Sequence, residues 1–545
     1  MIGLVTTTAA GRAAAARLAA ALGETRTYDV REIGLAWQEC QGLVVFLATG
    51  ATVRLLAPLL ADKVTDPGVV CVDESRRFAV ALVGGHAGGA NALATEVADL
   101  LGCEPVITTA TDAVDLPGLD TWSWPVEGDV AGVSRALLDG VAVRLQMDPT
   151  WPIPPLPVGD HGEVVLAVTD RLVDADVVVR PPSLVLGIGA SRGVTVEELD
   201  TLVTTTLAQQ GLSARSVSFV ATIDAKAEEQ GILELCARTG WSLVTHPAEV
   251  LAATRVPNPS DHPLDAVGTP SVAEAAAMQH GSLVVEKTKS PRATLAVSRI
   301  APRGRLSIIG LGPGARDLLT PRALEALRAS SVWVGLEQYV DQVRDLARPG
   351  TRFLQTALGK EEERAHSAVT EAQRGHAVAL LGSGDAQVYA MASPALEVAA
   401  EDIDVEVIPG VTAALAAAGL LGAPLGHDHA AISLSDLHTP WGAIEARVRA
   451  VAEADLVVSF YNPRSRSRDW QLPKALSILS QHRPATTPVG VVTHASREGQ
   501  DVHLTSLGEL DVERVGMYSL VIVGSSQSTV VAGRFVTPRG YRWME

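Results

Sequence analysis

Short apolar runs recur along the chain with polar, alanine-rich stretches between them. The clearest are GLVVFLATG (42–50), FAVALVGGH (78–86), SLVLGIG (183–189) and LSIIGLG (306–312), followed by AVALLGSG (377–384), DLVVSFYN (455–462), VGVVTHA (489–495) and SLVIVGSS (519–526). Continuous apolarity over strand length, without alternation, predicts strands buried on both faces. Segments such as GANALATEVADLLG (89–102) and PRALEALRASS (321–331) carry apolar residues at helical spacing. Strand and helix in alternation predict right-handed β-α-β units, so the fold class is α/β, with several α/β/α units and mostly parallel sheets.

Two interruptions divide this pattern. PTWPIPPLPVGD, Pro149 to Asp160, is too proline-rich for regular structure and reads as a semi-rigid connector. SRIAPRGR, ending at Arg305, is short and basic, and a fresh strand opens at Leu306. The expected parts are 1–150, a connector with linking strands over 151–180, 181–300, then 306–410 and 411–545. The opening, MIGLVTTTAAGRAAAARLAAALG, reads as a first strand and helix rather than a leader, because no charge precedes its apolar stretch while Arg12 and Arg17 interrupt it. The uncharged run from Ile408 to Gly426 is broken by Pro409, Gly410, Gly419, Gly422 and Pro424, so a buried loop and helix are expected, not a membrane span.

Composition narrows the function. A length of 545 residues exceeds one core, and 47% hydrophobic with 19% charged residues is a globular balance. The net charge of −18 argues against nucleic acid as a partner. Cys40, Cys71, Cys103 and Cys236 are scattered, so neither a disulfide framework nor a thiolate metal site is expected, and a reducing cytoplasm is the expected location.

Three small-residue segments follow apolar strands in the C-terminal half: LSIIGLGPGARDLLTPRAL (306–324), LLGSGDAQVYAMASP (380–394) and EVIPGVTAALAAAGLLGAPL (406–425). Loops after parallel strands gather at one sheet edge and make a cofactor site. Gly310, Gly312 and Ala315, with Glu337 further on, also satisfy a dinucleotide pattern. That reading is poorly served, because the helix start signal is Thr320-Pro321, well after the last glycine, and Pro313 removes an amide donor from the loop.

Taken together, the three segments resemble the S-adenosylmethionine-binding core of the tetrapyrrole methylases. The resemblance implies a two-lobed fold over 306–410 and 411–545, with Gly312, Pro313, Gly314, Gly384, Asp385, Tyr389, Gly410, Thr412 and Ala413 binding S-adenosylmethionine. VWVGLEQYVDQV, AISLSDLHTPW, FYNPRSRSRDW, VGVVTHASREGQ and MYSLVIVGSSQS extend the likeness to precorrin-3B C(17)-methyltransferases, from Leu306 to about Arg539. His438, Gln387 and the absence of an acidic residue directly after GPG depart from the usual pattern. The family implies a polycarboxylate tetrapyrrole as acceptor, methylated at C(17) as the ring contracts and a lactone forms. Arg464, Arg466 and Arg468, beside Asn462, are suited to grip its carboxylates, and Asp436, His438 and His494 to assist proton removal. Homodimerisation through this half is expected from the same resemblance.

In the N-terminal half, ATGATVRLLAPLLADKVTDP, LVGGHAGGANALATEVADLLG and VITTATD place glycines and threonines at strand-to-helix turns, which suits anionic arms. LVLGIGASRGVTVEEL, VATIDAKAEEQG, VPNPS, VGTPSVAEAAAM and VVEKTKSPRATLAVSR follow, with Thr195 and Glu198 reading as a capping box and Gly187, Gly189 and Gly193 as loop-shaping residues before it. Together these segments resemble cobalt-precorrin-5A hydrolases from Met1 to Arg299, with Ala190 where many relatives carry cysteine. The resemblance implies opening of the ring-A δ-lactone with release of acetaldehyde, chemistry that needs a base and donors for a developing oxyanion. His86 is the first candidate base; Asp224 and Lys226, with Glu286, Lys287 and Lys289, are second. No protein-bound metal is expected, and cobalt enters only as part of the substrate. An alternative is another methyltransferase of the same fold whose N-terminal half binds tetrapyrrole without turnover.

Overall fold

Every apolar run named above becomes a strand in the computed structural model, which describes residues 1–62, 65–85, 88–109, 114–119, 122, 124–260 and 268–541. The chain forms two compact units. One comprises Met1–Trp151, Leu156–Pro302 and Arg348–Gly350; the other comprises Pro152–Pro155, Arg303–Ala347 and Thr351–Glu545.

The first unit contains three sheets. β1 (Ile2–Thr6), β2 (Thr25–Asp29), β3 (Gly42–Phe46), β4 (Gly68–Val72), β5 (Phe78–Val83) and β6 (Glu104–Val106) lie in the order β2-β1-β3-β4-β5-β6, parallel except at β4-β5. Alternate residues of β3 face opposite cores. Val44 packs with Leu18 and Val97 of flanking helices, and Leu43 and Val45 pack with Ile33 and Leu56, which is why the strand is apolar throughout. β7 (Val126–Gly128), β8 (Val143–Gln146), β9 (Val164–Val168) and β10 (Val177–Val179) form a second sheet, β7-β10-β9-β8. The third contains β11 (Leu184–Ala190), β12 (Val217–Ile223), β13 (Ser242–His246), β14 (Ser282–Lys289) and β15 (Ala293–Arg299), ordered β13-β12-β11-β15-β14.

Two local expectations in this third sheet are corrected. Gly187 and Gly189 belong to β11 itself rather than to the loop after it. A Cβ at Gly187 would stand 2.0 Å from the Ala273 carbonyl, so glycine here lets the helix Val272–Met278 lie directly on the strand. The Thr195 hydroxyl caps its helix by accepting from the Glu198 amide, but the Glu198 side chain leaves the box to accept from Ser290 Oγ (2.5 Å) and the Arg292 amide (2.7 Å). It fastens the hairpin between β14 and β15 instead.

In the second unit, β16 (Arg305–Gly310), β17 (Val332–Leu336), β18 (Arg352–Thr356), β19 (Ala377–Gly382) and β20 (Asp404–Ile408) form an all-parallel sheet, β18-β17-β19-β16-β20. Its faces are covered separately, by Ala365, Ala368 and Ala372 on one side and by Leu327, Val340 and Val343 on the other. After β21 (Gly422–Ala423), a second lobe is built on β22 (His429–Ser433), β23 (Val457–Tyr461), β24 (Pro488–Thr493), β25 (Asp501–Ser506) and β26 (Ser519–Val523), ordered β22-β23-β26-β24-β25 and mixed in direction. Thr320 caps the helix Pro321–Arg328 through the Ala323 amide, with proline at its first turn, so this helix starts beyond the glycine loop. The 408–426 run forms a loop and the helix Ala413–Leu421. Among the described residues, no helix is long and apolar enough to cross a membrane.

Candidate active sites

β19, β16 and β20 are neighbours in the parallel sheet, so the loops that leave them emerge side by side. Gly312 and Gly384 exchange backbone hydrogen bonds (3.0 and 2.8 Å), both with left-handed φ, +73° and +68°. The third loop packs onto this bridge: a Cβ at Gly410 would stand 2.3 Å from the Gly384 carbonyl oxygen, and one at Gly310 would stand 2.8 Å from the Gly410 amide. Only glycine permits this approach of bare backbone. Asp385 ties the assembly, its carboxylate accepting from the Gln387 amide (2.9 Å) and the Gly410 amide (3.0 Å).

A cavity of about 200 Å³ opens beside these loops. Of the residues singled out in the sequence for the cofactor, Pro313, Gly384, Tyr389, Thr412 and Ala413 line it. Gly312, Gly314, Asp385 and Gly410 do not line it; Gly312, Asp385 and Gly410 shape its wall through the contacts above, and Gly314 packs against Arg497. The second lobe contributes Tyr461 at the end of β23, Asn462 after it, His494 and Arg497 after β24, and Tyr518 before β26. The Tyr461 hydroxyl bonds Thr412 Oγ1 (2.6 Å) and accepts from the Ala414 amide (3.1 Å), closing the first turn of the helix Ala413–Leu421. The Tyr389 ring lies 5.1 Å from that of Tyr461, and its hydroxyl donates to the Ala431 carbonyl (2.9 Å). Burial pushes the Tyr389 phenol upward, so it stays protonated at neutral pH.

Backbone strain concentrates here. Tyr389 (φ 52°), Asn462 (49°), His494 (50°) and Ser496 (60°) all take the left-handed conformation that non-glycine residues avoid. Such strain persists only where surrounding contacts over-determine it, and it gathers at ligand sites.

The three arginines of FYNPRSRSRDW fare differently. Arg464 donates to the Val512 carbonyl (3.0 Å) and Glu513 (2.6 Å) and is a structural brace. Arg468 donates to the Asn462 carbonyl (3.1 Å) and Ser435 Oγ (3.3 Å). Arg466 is exposed and has no side-chain partner among the described residues, which leaves its guanidinium available to a carboxylate. Asp436 accepts from Gln471 (3.0 Å), His438 is exposed, and His494 stacks on Tyr518 at 4.8 Å. Arg497, not singled out in the sequence, reaches from the second lobe to Pro313 and Ser383. The only hint was its place one turn beyond a strand end, in VTHASREGQ.

In the first unit, two polar clusters stand near β11 to β14. Lys226 pairs with Glu229 at 2.9 Å, and Glu229 also accepts from the Gly193 amide (2.6 Å). Burial pushes the Glu229 carboxyl up, but Lys226 and the Gly193 amide outweigh it and hold the group below its usual range. Asp224 is exposed at the start of the same turn. The second cluster surrounds Glu274, which is completely buried and accepts from the Asn258 side chain (2.8 Å) and from the amides of Asn258 and Lys287 (both 3.2 Å). Asn258 also bonds Glu286 (2.9 Å), and the Lys287 ammonium donates to the Asn258 carbonyl. Burial lowers the Lys287 pKa against the pull of Glu274, with Lys289 adding to the lowering. Glu274 went unnoticed within the alanine run SVAEAAAM. His86 lies outside the described residues. Among those described, no group of three or more His, Cys, Asp or Glu side chains is placed to hold a metal ion.

Comparison with known proteins finds family matches in both units and full-length relatives of the second. Residues 305–511 match the Tetrapyrrole (Corrin/Porphyrin) Methylases. Residues 184–298 match the family Cobalamin synthesis G C-terminus, and residues 32–112 match Cobalamin synthesis G N-terminal. A probable cobalt-factor III C(17)-methyltransferase of Salmonella typhimurium is 48% identical over 239 residues, 43% of this chain and 99% of that protein. A precorrin-3B C(17)-methyltransferase of Sinorhizobium sp is 38% identical over 42% of this chain and 91% of its own length. The crystal structure of the methyltransferase CobJ is 36% identical and covers 43% of this chain and 100% of its own, with a TM-score of 0.42.

Proposed function

This chain belongs to the tetrapyrrole methylases, joined to both cobalamin synthesis G regions, and from that premise we propose a bifunctional enzyme of corrin-ring synthesis. The second unit methylates precorrin-3B or its cobalt form at C(17), with ring contraction. The first opens the cobalt-precorrin-5A lactone and releases acetaldehyde. The methyl donor is S-adenosylmethionine, the location is the cytoplasm, and the second unit pairs as a homodimer.

The observation that carries the methylase reading is the glycine knot of Gly310, Gly384 and Gly410 beside a cavity lined by hydroxyls, aromatic rings and small side chains. When bound, the donor supplies an electrophilic methyl group on a sulfonium sulfur. Methyl transfer is an in-line displacement, so the protein's task is to orient the reactants and exclude water. Backbone packed without Cβ atoms gives a rigid wall for the donor, and Tyr461 fixes Thr412 beside Gly384 in that wall. In this reading Asn462, which lines the cavity, and Arg466, exposed further along the same loop, take acceptor carboxylates. In the first unit, Lys226 with Glu229, and Lys287 beside buried Glu274, supply the charged donors that a lactone oxyanion requires.

Incubation of the full chain with S-adenosylmethionine and precorrin-3B or cobalt-factor III, followed by mass spectrometry, tests the first activity through the gain of one methyl group. Incubation with cobalt-precorrin-5A tests the second through trapped acetaldehyde. An unchanged mass in the first assay, with every substrate form, overturns the methylase reading.

A further inference from the structure

Four of the six tyrosines in the chain, Tyr339, Tyr389, Tyr461 and Tyr518, line one cavity, while no aspartate or glutamate lines it among the described residues. A positive ligand entering this space finds no carboxylate to neutralise it. Beside the hydroxyl and amide oxygens of its wall, the attraction this cavity offers a cation is the electron-rich face of an aromatic ring, and desolvation strengthens that attraction.

Tyr389 carries the mark of such a task. Its φ of 52° is a strained value for a bulky residue, and with 53% of its surface exposed the ring gains little from core packing. The ring is nevertheless held: its hydroxyl is committed to Ala431, and its centroid lies 5.1 Å from that of Tyr461 with the two planes inclined at 55°. Tyr461 is fixed in turn by Thr412 and the Ala414 amide. The two rings come from different lobes and meet beside Gly384, where the glycine loops converge. Among the described residues, the one guanidinium lining the cavity, Arg497, is occupied with Pro313 and Ser383.

We infer that the Tyr389–Tyr461 pair reads the charge of the methyl donor, attracting the sulfonium of S-adenosylmethionine and giving up that attraction once the ligand is the neutral thioether. This rests on the donor assignment above. When the carbon–sulfur bond breaks, its electron pair stays on sulfur and the positive charge disappears, so the pair distinguishes substrate from product by charge rather than shape. The consequence is a site that holds the donor and sheds the spent product.

Calorimetry of the full chain with S-adenosylmethionine and with S-adenosylhomocysteine, no acceptor present, tests the inference. Tyr389→Phe keeps the ring and is expected to keep the affinity ratio between the two ligands. Tyr389→Leu removes the ring and is expected to shift that ratio against the sulfonium by roughly 3- to 30-fold. Tyr461→Phe, which loses two hydrogen bonds but no π-face, should weaken both ligands equally. Equal weakening or joint loss of the two ligands in Tyr389→Leu overturns the inference. Failure of the unaltered chain to bind either ligand overturns the donor assignment, and this inference with it.

Discussion

Arg497 donates through Nε to the carbonyl oxygen of Pro313 at 2.5 Å, joining the loop after β24 to the glycine loop after β16. Its Nη2 bonds Ser383 Oγ at 2.7 Å, so one side chain braces two of the three loops that wall the cavity. A Cβ on Gly314 would meet its Cγ at 2.4 Å, and the φ of +148° at Gly314 is one that residues with side chains rarely adopt, so both favour glycine at the third position of GLGPG.

Removing this brace should loosen the donor site without unfolding the unit. For Arg497→Ala, calorimetry with S-adenosylhomocysteine is expected to show affinity about tenfold lower, as for loss of a charged hydrogen bond worth about 1.5–3 kcal/mol partly recovered by water. Arg497→Lys should rescue little, because one ammonium on a flexible stem does not reproduce the forked geometry. Wild-type affinity in Arg497→Ala would remove the brace from the account.

The parts of this architecture that were legible in the sequence are those where burial leaves a continuous signature. β3, β16 and β19 are apolar on both faces because helices cover both sides, and Thr320-Pro321 announced a helix start that the fold keeps. Gly187 and Gly189 were misread because a glycine inside a strand looks like a breaker until the helix pressed against it is known. Tyr389 was legible as a candidate site residue, and it lines the cavity, but its left-handed backbone was not legible, since it accompanies contacts with Ala431 and Tyr461, 42 and 72 positions away. Arg497 and Glu274 were missed for the same reason. An arginine near a strand end and a glutamate in an alanine helix are ordinary by sequence, and only tertiary contact makes them a brace and a buried acceptor.

Gly410→Ala should destabilise the second unit by about 2 kcal/mol or more, because a Cβ 2.3 Å from the Gly384 oxygen forces two loops apart. Gly419→Ala is the control. It lies in the helix Ala413–Leu421 with nothing within 4 Å of the added carbon, so alanine should stabilise by about 0.5–1 kcal/mol. Urea unfolding of the two variants should move in opposite directions, and movement in the same direction would show that close backbone approach is not what selects glycine at Gly410.

Glu274→Ala should be among the most damaging changes in the first unit. It strips three donors, the Asn258 side chain and the amides of Asn258 and Lys287, of a fully buried acceptor, a loss of about 2–4 kcal/mol. Glu274→Gln retains one acceptor oxygen and should lose less. Thermal unfolding of both variants orders them, and equal midpoints for the two would rule out hydrogen bonding as the reason for this residue.

His246 and His280 face each other through Nε2 atoms 2.9 Å apart, with Phe219 against the second ring. Burial, and then the neighbouring His246, lower the pKa of His280 below its ordinary 6.5. A lowered histidine pKa means that the unfolded chain binds the proton more readily than the folded one. The contribution is therefore fully present above about pH 6.5 and is lost as pH falls from there toward the folded pKa. Unfolding of the first unit should become easier over that interval, with a slope below the one-proton limit of about 1.4 kcal/mol per pH unit because solvent screens a half-buried pair. His280→Gln removes the titrating ring and should flatten the curve between pH 5 and 7, read as a urea midpoint at each pH. A variant curve as steep as the wild-type one would place the sensitivity on another group and overturn this assignment to His280.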